Sequence, residues 1–152
     1  MTPRPLRPTG AAMNHPDTGA EAKSVVHRYL KALRERDAAA IPQLIAADAV
    51  YRIPGDHPVA GTWKGLAEIA ENFLLPMGER FDPTADYAVD VLHVIAEGAE
   101  VSVECVTRAT TRDGAPYELD ISAQFTVEDG QIRSMREYFD TQYFARTLFG
   151  QG

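Results

Sequence analysis

The chain of 152 residues has a single cysteine, Cys105, so no intrachain disulfide can form. That fits a reducing compartment, and a cytoplasmic location is expected. No apolar run approaches the ~20 residues that a membrane helix needs, so no membrane partner is expected. Lys and Arg number 15 against 22 Asp and Glu, a formal charge of −7. That balance disfavours a broad phosphate-binding surface, and nucleic-acid binding with it. The four histidines, His15, His27, His57 and His93, lack ligand spacing, so no metal site is expected. G-x-G-x-x-G, P-loop, G-x-S-x-G and C-x-x-C patterns are missing. Nucleotide, dinucleotide and serine-hydrolase readings therefore lack support, and no cofactor is expected. Arg4 and Arg7 precede no apolar stretch, so the N-terminus does not read as a secretory signal.

What is present reads as one domain with a substantial core. Residues 1–19 hold Pro3, Pro5, Pro8 and Pro16 with little apolar content and read as a disordered tail. Residues 20–150 form the domain. A first helix is expected from about Ala20 to Arg36, with Val25, Val26, Tyr29, Leu30 and Leu33 in one stripe. Asp37 is placed to cap a second helix over AAAIPQLIAA. AVYRI reads as a short strand and PGDHPVAGTWKG as a loop. A third helix from Leu66 to Leu75 puts Leu66, Ile69, Ala70 and Phe73 on one side and is expected to stop at Pro76.

Four long β-runs follow: DYAVDVLHVIA, EVSVECVTRAT, PYELDISAQFTVE and QIRSMREYFD. Glu97-Gly98, Asp113-Gly114 and Asp129-Gly130 divide them, as hairpin turns require. The order α-α-β-α-β-β-β-β predicts an α+β fold, a curved antiparallel sheet with helices on one face. Alternation turns Val101, Val103, Cys105, Leu119, Ile121, Ala123 and Phe125 toward those helices. In the last run Ile132 and Tyr138 compete with Met135 and Phe139 for the inner face. Glu137 is assigned inward, between Met135 and Phe139. The closing TQYFARTLFG either folds over a pocket mouth or docks on a partner.

A carboxyl between two large apolar side chains has reason to titrate abnormally and to move protons, so Glu137 is the leading catalytic candidate. The bland alternative is a solvated glutamate paired with Arg108, Arg133 or Arg136. Tyr29, on the core face of its helix, is placed to donate to an oxyanion, or else is an ordinary core tyrosine. Tyr51 and Trp63 flank the loop and either form an aromatic mouth or are plain packing residues. His57 reaches a cavity or stays on the surface. Cys105 reads as inert core, a nucleophilic role with His93 being the alternative.

The segments VVHRYLKALRERDAAAIPQLIAADAVYRIPG, AGTWKG and VEDGQIRSMREYFDT, in this order and spacing, resemble the SnoaL-like and ketosteroid-isomerase-like branch of the nuclear transport factor 2 superfamily. The resemblance spans about residues 20–148. It implies a cone: a strongly curved antiparallel sheet wrapped on three N-terminal helices and open at one end to a pocket. It also implies a homodimer through the outer sheet face. Tyr29 matches the oxyanion-donating tyrosine of ketosteroid isomerases. Their general-base position falls on Ile53 and their second oxyanion acid near Ala123, so steroid-type isomerisation is not implied. Tyr51 matches the tyrosine of limonene-epoxide-hydrolase-like members. Ile53, Val103 and Cys105 replace the rest of that set, and Glu137 falls at one of its aspartates. Phenazine-biosynthesis members carry an acid/base glutamate in an R-E-F setting, which Arg136-Glu137-Tyr138 resembles.

Together these readings imply a cofactor-free acid/base enzyme of small-molecule metabolism, of isomerase, cyclase or dehydratase type, on an apolar carbonyl-bearing substrate. Glu137, Tyr29 and Tyr51 would be catalytic. Trp63, Phe73, His57, Cys105, Phe125 and Phe139 would surround the substrate. The alternatives are a non-catalytic module for hydrophobic ligands or dimerisation, and an epoxide hydrolase with an altered catalytic set.

Overall fold

The computed structural model describes residues 18–151. The expected tail lies outside them, except for residues 18 and 19, which already belong to the first helix, α1 (Thr18–Arg34). Its stripe is buried at Ala22, Val25, Val26, Tyr29 and Leu30. Glu21 in the first turn and Lys31 and Arg34 in the last complement the helix dipole. The chain leaves α1 through Arg36, which takes a left-handed φ of 54°.

The second helix, α2, is one turn only, Ile41–Leu44, with Pro42 in that turn. The expected continuation through IAA is instead the start of strand β1 (Ile45–Ile53). Tertiary pairing overrides the helical preference of the alanines: Ile45 registers with Ile132 in a parallel ladder, burying Ile45, Ala46, Ala49, Tyr51 and Ile53. AGTWKG is not all loop. Gly61–Lys64 forms a short edge strand, β2, antiparallel to β1 with Trp63 opposite Tyr51.

The third helical segment does not end at Pro76. α3 (Leu66–Ile69) runs through a π turn (Ala70–Leu74) into α4 (Leu75–Gly78). The Leu75 N–H donates to Ala70 O, five residues back. This widened turn gives the Pro76 ring room where an α-turn would crowd it, and Pro76 lacks the N–H that a regular turn would use.

Strands β3 (Ala88–Glu97), β4 (Glu100–Thr110), β5 (Pro116–Glu128) and β6 (Gln131–Phe139) form an antiparallel meander at the glycine turns expected. Between β5 and β6 both Asp129 (φ 53°) and Gly130 (φ 74°) are left-handed, as a tight two-residue hairpin demands. The six-stranded sheet has the order β2-β1-β6-β5-β4-β3, and only β1–β6 is parallel. The α+β cone is thus as expected, with β2 and a last helix added.

A bulge resolves the competition in β6. Thr126 pairs with Ser134 but Val127 with Ile132, which leaves Arg133 as an extra residue. Ile132 and Met135 are therefore both buried, and the face continues through Glu137, opposite Ala123. The last helix, α5 (Thr141–Phe149), is capped by Asp140, whose side chain accepts from the Tyr143 N–H at 3.0 Å. It docks on its own domain: Phe144 is buried with its ring 4.7 Å from those of both His57 and Phe139. Gly55 permits this close approach, since a Cβ there would meet Thr141 Cγ2 at 2.8 Å. No described helix is long and apolar enough to cross a membrane.

Candidate functional site

The helices and the concave sheet face do not meet everywhere. They leave a cavity of about 350 Å³, within the size range of small-molecule sites. Its walls are mainly apolar, with rings from Phe73, Phe81, Phe125 and Phe144. Lining residues that are exposed (Arg36, Ala38, Gly78 and Pro83) mark the opening. The polar groups on the walls are Glu137, Tyr29, Tyr87, Tyr117, Thr107 and the Cys105 thiol.

Glu137 enters from β6 next to Ala123, whose small side chain leaves the carboxyl room to face the cavity. It is half-buried and lines the cavity. Among the described residues no ion pair involves it. Arg108 is taken by Asp90 and Glu118, and Arg133 by Asp48 and Glu128. With burial and no compensating charge, its pKa rises from 4.5 to about 7. Glu137 is therefore poised to exchange a proton near neutrality.

The surrounding groups are all kept protonated. Burial, with a smaller contribution from the Glu137 charge, pushes Cys105 up to about 12 and Tyr87 up to about 12. Tyr29 and Tyr117 are raised further, again chiefly by burial. Tyr29 lies edge-on to Phe125 with ring centroids 5.9 Å apart. Neutral phenols around one carboxyl are hydrogen-bond donors with little tendency to ionise. The Cys105 thiol is equally reluctant. His93, exposed on β3 opposite Glu104, is not its partner.

Not every residue expected at the cavity reaches it. Tyr29, Phe73, Cys105, Phe125 and Glu137 do; Tyr51, His57, Trp63 and Phe139 do not. Tyr51 is fully buried behind the wall, edge-on to Phe73 at 6.2 Å, and its hydroxyl has no hydrogen-bond partner among the described residues. It neighbours the Tyr29 phenol closely enough for each to perturb the other, yet outside hydrogen-bond geometry. Replacing Tyr51 by Phe removes an unsatisfied buried hydroxyl. It is expected to leave stability unchanged or raise it by about 1 kcal/mol in urea denaturation, and a clear loss would mean the hydroxyl is bonded after all.

The expected aromatic mouth is not built. Pairing with β1 holds half-buried Trp63 beside Tyr51, and its indole N–H donates to Val59 O at 3.2 Å. His57 is buried against Phe144, Phe139 and Phe149, with Nε2 2.8 Å from Pro54 O. Burial lowers its pKa, so it serves as neutral packing between the β1–β2 loop and α5. Phe139 belongs to that same cluster. Tyr87, Thr107 and Tyr117 were not singled out in the sequence. The alternation that turned Cys105 inward also turns Thr107, and that of Leu119 turns Tyr117. Among the described residues no group of three or more His, Cys, Asp or Glu side chains is arranged to hold a metal ion.

The SnoaL-like domain pattern matches residues 26–135, most of the chain, from within α1 to the middle of β6. The chain belongs to the SnoaL-like family. The SnoaL-like chain is 29% identical over 115 residues to the dimerizing cyclase phiC of a fungal species (strain ATCC 74256), which covers 74% of this chain and 51% of that protein. It thus spans about half the length of that curated relative. Among solved structures it resembles a nuclear transport factor 2-like protein from Burkholderia xenovorans LB400. That match has a TM-score of 0.71 and 27% identity over 86% of this chain and 97% of the other. Bal32a, from a soil-derived mobile gene cassette, superposes with a TM-score of 0.74 at 22% identity, over 86% of this chain and 98% of the other. That likeness concerns the fold.

Proposed function

We propose that this SnoaL-like protein is an acid/base enzyme that acts without a cofactor on an apolar ketone-type substrate, by isomerisation, cyclisation or dehydration. The observation that carries this reading is Glu137, a carboxyl without an ion-pair partner among the described residues on a mainly apolar cavity, with the Tyr29 phenol on the same cavity. Ionised Glu137 takes a proton from the carbon next to the carbonyl. Tyr29 donates a hydrogen bond to the carbonyl oxygen as negative charge develops there. The Glu137 acid then returns the proton to a different atom: to carbon in an isomerisation, or to a departing hydroxyl in a dehydration. Tyr51 acts only from behind, by holding the Tyr29 ring. The cyclase relative supports the class of reaction, and its substrate is not carried over.

An activated ketone, 2-tetralone, tests the chemistry. Its α-hydrogens should exchange with D₂O faster in the presence of the protein, and Tyr29→Phe should slow that exchange by about 10²-fold. Exchange no faster than with buffer would favour the second reading, a module that binds apolar ligands without turnover. Isoleucine at position 53, where the isomerases carry their base, speaks for that second reading.

Dimerisation is proposed through the outer sheet face, where Leu92 (52% exposed), Ile95 (69%) and Tyr138 (45%) stand in solvent. Sedimentation should give twice the chain mass, and a monomer at micromolar concentration would refute it.

A further inference from the structure

The acid/base reading uses one end of the cavity. Glu137 sits opposite Ala123, and Tyr29 packs on Phe125, two residues further along β5. The other end of the same strand face carries Tyr117, and β4 sets Thr107 beside Leu119 next to it. Both are more than nine-tenths buried, at 3% and 6% exposure, and both line the cavity. Tyr87, just before β3, closes the group. Phe81 wedges between the two phenols, its centroid 5.4 Å from Tyr87 and 5.1 Å from Tyr117. Tyr117 also lies beside Tyr143, but the Tyr143 hydroxyl is already engaged, accepting from the Glu118 N–H at 3.0 Å. Phenylalanine or valine would fill these wall positions without the penalty of hydroxyls facing apolar space.

The one cation among the described lining residues is already engaged. Arg36 is on the rim, but its Nη1 donates to Pro83 O (2.9 Å) and Ala85 O (3.1 Å), and its Nη2 to Asp82 O (3.0 Å). Its guanidinium also lies over the Tyr87 ring, 5.5 Å from the centroid. It fastens the loop at the opening. An anion inside would meet Glu137 with nothing to balance it.

We propose that Tyr87, Thr107 and Tyr117 form a second polar subsite, which takes a hydroxyl or carbonyl oxygen of the substrate remote from the carbon that Glu137 deprotonates. The substrate class is then a compact, uncharged, flat ketone with a second oxygen at its far end. This deepens the acid/base reading and rests on it for the placement of the first oxygen. The aromatic walls favour a planar framework, and the second subsite fixes which end of it enters first.

Calorimetric titration with 2-tetralone and with 6-hydroxy-2-tetralone tests this, because binding is read without turnover. The wild type should bind the hydroxylated ketone about five- to tenfold more tightly, the scale of one or two added hydrogen bonds. In Tyr87→Phe/Tyr117→Phe that ratio should fall to about one. Each single variant, and the isosteric Thr107→Val, should reduce it in part, and they carry the test if the double variant does not fold. An unchanged ratio in the variants overturns the subsite. So does a wild type that prefers neither ketone or binds neither. Deuterium exchange into 2-tetralone reports on Glu137 separately. A collapsed ratio with no exchange sinks the acid/base reading alone, and exchange with an unchanged ratio sinks the subsite alone.

Discussion

Glu137→Gln should lower the rate of proton exchange into 2-tetralone by about 10²–10⁴-fold, the usual worth of a positioned general base. The amide keeps the size of the carboxyl and cannot accept the proton. The pH profile of the unaltered protein provides the sharper signature. The base is the ionised form, and burial raises its pKa from 4.5 to about 7. The rate should therefore be flat above about pH 7 and fall about tenfold per unit below it. The residual rate of the Gln variant should show no such step. A step near 4.5 would mean that water or a cation reaches the carboxyl. Full activity in the Gln variant would remove Glu137 from the chemistry.

The same substitution should stabilise the fold, in a pH-dependent way. Glu137 has a higher pKa in the folded state, about 7, than the 4.5 of an exposed side chain. Below 4.5 both states hold the proton and Glu137 adds no pH dependence. Between 4.5 and 7 the unfolded chain releases the proton while the folded one retains it, so stability declines as pH rises. The decline is about 1.4 kcal/mol per unit and about 3 kcal/mol in all, and it ends once both states are ionised. Glutamine has no proton to lose. Relative to the parent, Glu137→Gln should thus gain up to about 3 kcal/mol between pH 4.5 and 8 in urea denaturation. Parallel pH dependences would show that the carboxyl is not desolvated in the folded state. A gain in stability alongside a loss of turnover is the pattern expected where a site keeps a costly buried charge for its chemistry.

Local signals carried much of the fold. The stripe of α1, the glycine turns and the period-two runs from Asp86 to Phe139 each depend on near neighbours in the chain, so they could be read residue by residue. The misreadings were at places where distant segments decide. IAA would suit a helix, but the free edge of β6 recruits it into a parallel strand. Pro76 would end a regular helix, but a π turn accommodates it. Trp63 was open to a place at a mouth and His57 to one at a cavity, yet β1 and α5 draw them into packing.

For the site, the sequence by itself determined that Tyr29 lies on the inward stripe of its helix, because helical period settles facing locally; for Glu137 it offered two competing faces, between which the bulge at Arg133 decided. It also determined the family, through the order and spacing of its segments. The tertiary structure alone decided that the space before Glu137 stays open and that, among the described residues, no arginine pairs with its carboxyl. It likewise decided that Tyr87, Thr107 and Tyr117, distant in the chain from Tyr29, share that space. Those outcomes depend on sheet curvature, the bulge at Arg133 and the docking of α5, which sum contacts over the whole fold and leave no local trace in the chain.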